Sequence, residues 1–377
     1  MIFSIFRNIL SIIIINILIL INKILKKKII FFYHPQEKLT LIHNYYIEDL
    51  FEDFDKNFCI IYGHRLKKNL GKKYFYIKQG YVRYLINVDY FISNNICDVF
   101  IKKAKKIYMH HNIYDDPWVP KNKEEQMCKR LSFYDYIFLS SEKSLQMTNQ
   151  MFNEHKINNK PKLIEIGYPK IDFLFSKLNK EENKEKNILI APTQIDGFPE
   201  FTIANHLKDL FTILLDNTNY NIIFRPHPRD RNNNIIKKLI INFEENKRFN
   251  YDTSENYIDT YSKSYLLITD ISGTAYTYAF LTSNPVIFIT PNENKLASYN
   301  YDKLNFFLDR NKIGKTINST KEILQNIKLV EKDYNFFNKS IELLRKDMKF
   351  FGKSKEKFKE EVKSMYVSFE NQLTKDE

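Results

Sequence analysis

Short, nearly continuous apolar runs alternate with helical stretches along most of the chain. Runs of this kind predict strands that are buried on both faces of a parallel sheet, and their alternation with helices predicts an α/β fold. The predicted strands are Asn57–Tyr62, Tyr74–Ile77, Val88–Ser93, Lys106–His110, Tyr136–Ser140, Leu163–Ile166, Asn187–Ala191, Tyr220–Phe224, Tyr265–Thr269 and Pro285–Ile289. Helices are predicted between them, for example Phe201–Leu215, Asn233–Glu245 and Thr274–Thr282.

A charged segment without apolar periodicity, Lys177–Asn187, divides this pattern into two halves of similar size. A chain of 377 residues is long enough for two to three domains. We therefore predict an α/β domain over 31–180, a second over 181–330, and charged helices over 331–377. The alternative is that Lys177–Asn187 is a surface loop within one large sheet.

The first 30 residues predict a membrane anchor or a membrane-associated helix. Residues 9–21 are apolar except for Ser11 and Asn16; one cation, Arg7, precedes the run, and lysines 23, 26, 27 and 28 follow it. The run is close to the length that spans a bilayer, and the positive-inside rule places the rest at the cytoplasmic face of the membrane. A buried core helix, or an interfacial helix that does not cross, is the alternative.

The charge balance excludes few classes of protein by itself. Lys plus Arg number 58 and Asp plus Glu 45, which gives a formal net charge of +13. Diffuse lysine favours a solvated surface, while the functional alternative is an anionic partner such as a membrane surface, a nucleotide or a phosphate polymer. No nucleic-acid motif is present, so nucleic acid is not an expected partner. Three cysteines without a C-x-x-C pair indicate a reducing compartment.

Several familiar motifs are absent. There is no G-x-G-x-x-G and no H-E-x-x-H, and Gly314-Lys315-Thr316 lacks the upstream glycine of a phosphate-binding loop. Asp53-Phe54-Asp55 resembles a metal-binding D-x-D, but EDLFEDFDK predicts the acidic face of a solvated helix. We therefore predict neither a metal nor a cofactor.

One candidate phosphate-binding motif is Arg225-Pro226-His227-Pro228, directly after a predicted strand. Two prolines stiffen this turn, and ligands of open α/β sheets bind beyond the carboxyl ends of the strands. Arg225 offers a planar fork for phosphate oxygens, and His227 can donate to a phosphoryl oxygen.

A second candidate is the segment from Thr269 to Thr274, TDISGT, which includes Asp270 and ends a strand where a helix begins. Ser272 can cap this helix, and Gly273 permits close approach of a ligand. The amides of Gly273 and Thr274 would face an anion with the helix dipole behind them. An ordinary capped helix is the alternative.

The pair His110-His111 follows another predicted strand. A histidine that faces a cleft can act as a general base, whereas adjacent residues of a strand point to opposite faces and are poorly placed to share a metal. A structural histidine is the alternative. Three shorter motifs, Ser140-Ser141-Glu142, the stretch GYPKID over 167–172, and Ala191-Pro192-Thr193, could each be a turn.

The order of these motifs resembles that of the CDP-glycerol glycerophosphotransferase family, over roughly residues 35–330. Members of that family polymerise or prime teichoic-acid-like and capsular polymers. The resemblance implies a GT-B architecture, in which two Rossmann-like domains face a cleft, with monotopic membrane association. The acceptor would enter from the first domain and the CDP donor would lie against the second.

The resemblance also implies roles for individual residues. His111 matches the family's catalytic histidine, with His110 as the adjacent alternative; His227, Ser272 and Thr193 match its donor-binding positions. The implied activity moves glycerol phosphate, or a related alditol phosphate, from CDP-glycerol or a similar CDP-alditol to a hydroxyl of a polymer or lipid-linked acceptor. The alternative is a GT-B glycosyltransferase that uses a nucleotide sugar in surface polysaccharide synthesis.

The sequence departs from the family pattern at four positions. Asn112 replaces a glycine, Asp115 and Asp116 lie where a lysine is usual, and Thr277 replaces a carboxylate. The last position often contacts the nucleotide ribose in GT-B enzymes, so the identity of the donor is the expectation most affected.

Overall fold

The structure is a computed structural model that describes residues 2–34, 42–64, 74–115, 121–178, 186–254 and 257–373. Asp116 and most of the charged connection 177–187 lie outside the described residues. The strands are β1 Lys28–His34, β2 Phe58–His64, β3 Tyr74–Tyr76, β4 Tyr90–Ser93, β5 Lys105–Met109, β6 Tyr136–Leu139, β7 Lys162–Glu165, β8 Asn187–Ile190, β9 Asn221–Phe224, β10 Phe249–Tyr251, β11 Ser264–Thr269, β12 Val286–Ile289 and β13 Gly314–Ile317.

The helices are α1 Ile2–Ile24, α2 Ile42–Phe51, α3 Glu124–Leu131, α4 Glu142–Glu154, α5 Pro169–Lys177, α6 Leu207–Asn217, α7 Asn234–Phe243, α8 Ile258–Ser262, α9 Thr274–Thr282, α10 Asn305–Leu308, α11 Arg310–Ile313, α12 Ile323–Lys332, α13 Tyr334–Lys346 and α14 Ser354–Leu373.

Two parallel sheets form the centres of two Rossmann-like domains. The first has seven strands in the order β3-β2-β1-β4-β5-β6-β7, and the second has six in the order β10-β9-β8-β11-β12-β13. All the described pairings are parallel, which requires helical crossovers over the sheet faces. Two such domains facing each other form a GT-B-like fold, as predicted.

All ten predicted strands are present within a few residues of their expected limits, and three further strands were missed. β1 lies at the centre of the first sheet, between β2 and β4. The expected boundary of the anchor at residue 30 therefore falls inside β1, and the first sheet begins at Lys28. β10 and β13 are the two edges of the second sheet, where short and more polar strands are common.

The first helix, α1, lies on the first domain. Ile15 and Ile19 are buried in the core beneath the sheet. The polar side chains of α1 bond to the same domain: the Asn8 side chain accepts from the Lys78 amide at 2.7 Å, and Lys23 pairs with Asp89 at 2.6 Å. Of the described helices, this one alone combines the length and the apolar character that crossing a bilayer requires, and 22% of its apolar window is buried.

The Asp53-Phe54-Asp55 motif lies in a turn, because α2 already ends at Phe51. Asp55 accepts from the Asn57 amide at 2.9 Å and pairs with Lys363 of α14 at 3.4 Å. The motif is therefore not the solvated helix face that we predicted, and Asp55 connects this turn to α14.

The last helix returns to the first domain. α13 packs on α9 and α11 of the second domain, whereas α14 packs on α5. Phe358 of α14 is fully buried against Phe51 and Phe138 in the core of the first domain. Gly167 permits this crossing, because its φ is +83° and a side chain there would lie 2.9 Å from Phe350 and Ser354.

Replacing Phe358 tests whether the return of α14 stabilises the fold. We expect Phe358→Ala to lower the free energy of unfolding by about 3–5 kcal/mol, because it leaves a cavity between α14 and the sheet. Urea unfolding measures this change. The matched control is Phe336→Ala on α13, where the ring is 64% exposed and we expect a change within about 0.5 kcal/mol. Equal effects of the two changes would contradict the described packing of α14.

Candidate active site

The loop after β5 carries His111 and is held by both neighbouring motifs of the first domain. The Ser140 hydroxyl donates to the Asn112 carbonyl at 2.5 Å, and the Tyr168 hydroxyl donates to the His111 carbonyl. The S-S-E and G-Y-P motifs are thus more than turns, since each provides a bond that fixes the position of His111. Ser141 also caps α4, where its side chain accepts from the Ser144 amide.

The two adjacent histidines have different environments. His110 is buried, and desolvation lowers its pKa well below the usual value. His111 is exposed within the cleft, and its Nδ1 lies 3.3 Å from the Tyr108 hydroxyl. The surrounding protein desolvates its ring and, with the charges of Lys170 and Arg229, lowers its pKa to about 4. Of the pair, His111 is therefore the better placed to meet a substrate, and it is a neutral imidazole at pH 7.

A further imidazole, which the sequence did not indicate, lies near His111. His34 ends β1, is 3% exposed, and contributes to the low pKa of His111. Its Nδ1 lies 3.0 Å from the Asn94 side-chain oxygen, which also accepts from Asn95. Nδ1 therefore carries the proton, and Nε2 is a buried acceptor without a hydrogen-bond partner among the described residues. Burial lowers the pKa of His34 to about 4.

The R-P-H-P turn follows β9 of the second domain, as predicted. His227 accepts from the Arg229 amide through Nδ1 at 3.3 Å, so its Nε2 carries the proton and can donate. Desolvation, together with Arg229 and Arg231, lowers the pKa of His227 to about 4. Arg229 also lowers the pKa of His111, so its charge acts on imidazoles from both domains.

Arg225 makes its described contacts with other residues of the second domain. Its guanidinium pairs with Asp252 at 2.6 Å and donates to the Ser254 carbonyl at 2.9 Å. It also lies over the Tyr257 ring at 5.7 Å. Arg225 thus braces the segment around Tyr257, and its predicted phosphate contact stays a prediction. Arg229, which the sequence did not indicate, is exposed, and its charge lowers the pKa of both His111 and His227.

The D-x-S-G segment follows β11 and begins α9. Gly273 is the N-cap of α9 without a side-chain cap, and the Ser272 hydroxyl accepts only a long 3.4 Å bond from the Thr274 amide. The Ala275 amide is bonded to the Ser272 carbonyl at 3.0 Å, so the Gly273 and Thr274 amides are the ones left for an anion, and their binding of one stays a prediction. The Thr274 hydroxyl lies 2.7 Å from that of Tyr261.

Asp270, just before α9, makes buried hydrogen bonds to a neighbouring loop. Its fully buried carboxylate accepts from the amides of Thr193, at 2.9 Å, and Ile203, at 3.0 Å, and burial raises its pKa to about 6. Asp270 therefore joins the A-P-T loop to the D-x-S-G loop. This buried position is at odds with the donor contact that we predicted for Asp270, whereas the donor contact predicted for Thr193 stays a prediction.

The two domains meet at the carboxyl ends of their sheets. The Tyr114 ring stacks on Tyr276 at 4.0 Å, and Asp115 accepts from the amides of Asn305, at 2.8 Å, and Phe306, at 2.7 Å. Lys143 of the first domain pairs with Asp309 of the second at 2.6 Å. These contacts place the loop of His111 against the second domain, where the charge of Arg229 acts on its imidazole. That the predicted donor-binding residues share one cleft with His111 stays a prediction.

Among the described residues, one cluster has metal-ligand geometry. Ligand atoms of Glu124, Glu154 and His155 lie within 4.8 Å of one another. They belong to α3, the end of α4 and the residue that follows it, not to the loops after β5, β9 and β11.

Two Rossmann-like domains that face each other, with an imidazole in the loops of each, place the chain among proteins of GT-B-like fold. The chain belongs to the family of CDP-Glycerol:Poly(glycerophosphate) glycerophosphotransferases, whose family model matches residues 15–362. The resemblance found in the sequence is thereby confirmed.

Curated relatives include teichoic acid poly(glycerol phosphate) polymerases from two Bacillus species. The protein of Bacillus spizizenii is 26% identical over 65% of this chain and 66% of its own length. That of Bacillus subtilis is 26% identical over 57% of this chain and 29% of its own length. The match thus covers two thirds or less of each relative.

Solved structures confirm the fold. A structure of the wall teichoic acid polymerase TagF soaked with CDPG has a TM-score of 0.60 at 16% identity and covers 98% of both chains. MnaA of S. aureus with UDP has a TM-score of 0.56 at 13% identity, covering 84% of this chain and 91% of that chain.

The buried neutral histidines make the stability of the fold sensitive to acid. The pKa of His34 is lowered from 6.5 to about 4, so between these values the unfolded chain binds a proton that the folded chain does not. Stability therefore falls as the pH falls from 6.5 to 4, and we expect this histidine to account for up to about 3 kcal/mol of the loss. Urea unfolding from pH 7 to 4.5 measures the slope.

The variant His34→Gln should make this slope shallower whatever its effect on stability at pH 7. His206→Gln, at an exposed position, should leave the slope of the parent unchanged. A profile for His34→Gln that runs parallel to the parent would contradict the buried neutral state of His34.

Proposed function

We propose that this protein transfers glycerol phosphate from CDP-glycerol to a hydroxyl of a cell-surface polymer or a lipid-linked acceptor. The observation that carries the proposal is the neutral, exposed imidazole of His111 facing a second domain that offers phosphate-binding groups. Family membership and the names of the relatives support the choice of donor. The names also favour a glycerol phosphate polymer as the acceptor.

The groups of the cleft suit an in-line displacement at phosphorus. The acceptor oxygen forms a bond to the distal phosphorus while its proton passes to Nε2 of His111, and the bond between that phosphorus and the CMP oxygen breaks. His227 donates through Nε2–H to the diphosphate, and the amides at the start of α9 bind its other oxygens. Positioning of the donor and the acceptor by the two domains lowers the reaction barrier by about as much as the individual groups do.

The transfer is tested by changing one imidazole from each domain. With CDP-glycerol and membrane extract as acceptor, we expect His111→Ala to lower CMP release at least about 100-fold while CDP binding persists, as for loss of a general base. His227→Ala should also weaken donor binding, because it removes a donor to the diphosphate. CMP release and calorimetric binding of CDP are the measurements.

The control is His206→Ala, whose exposed side chain lies outside the cleft loops. Unchanged turnover in both His111→Ala and His227→Ala would refute the assignment. Release of nucleotide from a UDP sugar, with CDP-glycerol and CDP-ribitol left intact, would instead favour the glycosyltransferase alternative.

We further propose that α1 lies flat on the cytoplasmic face of the membrane. Its outward face is a row of exposed apolar side chains, among them Phe6, Ile13, Ile17 and Leu20. Its polar residues are bonded to the first domain, where Asn16 donates to the Tyr84 carbonyl and accepts from the Ile86 amide at 3.1 Å each. Crossing the bilayer would break these bonds, whereas lying in the interface keeps them and buries the apolar face.

This orientation is tested with vesicles of phosphatidylglycerol and phosphatidylcholine. We expect the double change Ile13→Glu with Ile17→Glu to lower vesicle binding at least about tenfold, because each isoleucine contributes about 2 kcal/mol on burial. The control Phe336→Glu alters an exposed ring on α13 and should bind like the parent. Co-sedimentation measures binding.

Labelling near the start of α1 distinguishes the two membrane arrangements. Phe3 is 88% exposed, and a helix that lies in the interface keeps it on the same side of the bilayer as the domains. In vesicles with the domains outside, we therefore expect Phe3→Cys to react with a membrane-impermeant maleimide. Protection of this cysteine until detergent is added would show that α1 crosses, and parent-like binding of the double variant would exclude α1 as the contact.

A further inference from the structure

Lys170 is a buried cation that the proposed chemistry does not yet use. It follows Gly167, Tyr168 and Pro169 and is the second residue of α5. Its side chain is 8% exposed. Within the described part of the chain it makes no ion pair, and its one recorded polar contact is with the Tyr257 ring, 5.3 Å from the ammonium.

Two features of this position disfavour a positively charged lysine. Burial without a carboxylate disfavours the charged form, and desolvation lowers the pKa of Lys170 to about 7. The first turn of a helix carries a partial positive charge, which repels an ammonium and attracts an anion. Both of these unfavourable effects become favourable once a negatively charged group binds beside Lys170.

The neighbours of Lys170 indicate which anion this is. Its charge lowers the pKa of His111, so the ammonium lies within electrostatic range of the imidazole that meets the acceptor hydroxyl. Its contact with Tyr257 reaches into the second domain, and Arg225 lies over the same ring at 5.7 Å. Lys170 therefore lies where the acceptor side and the donor side of the cleft join.

We propose that the ammonium of Lys170 binds a non-bridging oxygen of the phosphoryl group that is transferred, next to His111. The inference rests on the proposed function and adds a first-domain contact to the second-domain groups that hold the diphosphate. Lys170 keeps its proton throughout: the acceptor proton passes to His111, the new O–P bond forms, and the electron pair of the broken bond leaves with CMP. The ammonium stabilises the charge on the phosphoryl oxygens while this happens.

The test compares Lys170→Met and Lys170→Arg in the full chain, with CDP-glycerol and membrane extract. We expect Lys170→Met to lower kcat at least about 100-fold, as for removal of one group that stabilises the transition state. Its KM for the acceptor should change little. Lys170→Arg keeps the charge, and we expect its kcat within about tenfold of the parent. Lys177→Met, an exposed lysine at the far end of α5, is the matched control and should behave like the parent.

Thermal unfolding distinguishes this role from a structural one. Methionine fills a similar volume without a buried charge, so Lys170→Met should raise the melting temperature by a few degrees while it lowers kcat. A structural role predicts that Lys170→Met melts at a lower temperature than the parent and that Lys170→Met and Lys170→Arg lose kcat to the same extent. That result would overturn the inference.

Two other results would also overturn it. Normal kcat in Lys170→Met removes Lys170 from the reaction, and a defect confined to the KM for the acceptor places its anion in the acceptor rather than in the transferred group. Turnover of CDP-glycerol by the parent is the reference in each case. If the parent releases no CMP from CDP-glycerol, the proposed function is wrong. If the parent and Lys170→Met release CMP at the same rate, only the inference about Lys170 is wrong.

Discussion

The position of His111 depends on one short loop that is bonded from both domains. Within the first domain its carbonyls accept hydroxyl groups from Ser140 and Tyr168. Four residues after His111, Asp115 accepts two backbone amides of the second domain, beside the stacked rings of Tyr114 and Tyr276. Any movement of one domain against the other therefore acts on the imidazole directly. The contacts that hold the two domains together therefore also fix the position of the candidate base.

The electrostatics of the cleft connect donor binding to the strength of the base. Desolvation and nearby positive charge lower the pKa of His111 and of His227 to about 4. Such an imidazole is neutral, and it is a weak base until its surroundings change. In the proposed reaction, a diphosphate bound between the domains would bring negative charge, which favours the protonated form of His111 and raises its pKa. The proposed base would then be more effective with the donor bound than without it.

The strand pattern could be predicted well because buried parallel strands have continuous apolar runs, which hardly depend on their partners. β1 was missed although it is central, because its residues directly follow the lysines that flank the apolar run of α1. β10 has three residues and β13 contains Gly314 and Lys315, so neither edge strand has a run to detect. The motifs located the cleft loops, since such loops must follow strands.

The division of work within each motif could not be predicted, because it depends on which side chains the fold buries. Arg225 has the chemistry of a phosphate ligand, yet Asp252 lies within reach of its guanidinium, and Arg229 keeps the exposed position. Asp270 is turned inward by the amides of two loops that are distant in sequence. In G-Y-P-K nothing local shows that the lysine is buried, because Tyr257 covers it from another domain.

Asp115, one of the expected departures from the family pattern, has a structural role in this chain. Its carboxylate accepts hydrogen bonds from the first residues of α10 across the domain boundary. A lysine could not accept these bonds, so Asp115 connects the two domains rather than supplying positive charge. Lys170, from the first turn of α5, and Arg229, from the turn after β9, place positive charge within electrostatic range of His111. A cleft for a diphosphate requires a positive potential and a fixed base, but it does not require that each charge come from a particular position in the sequence.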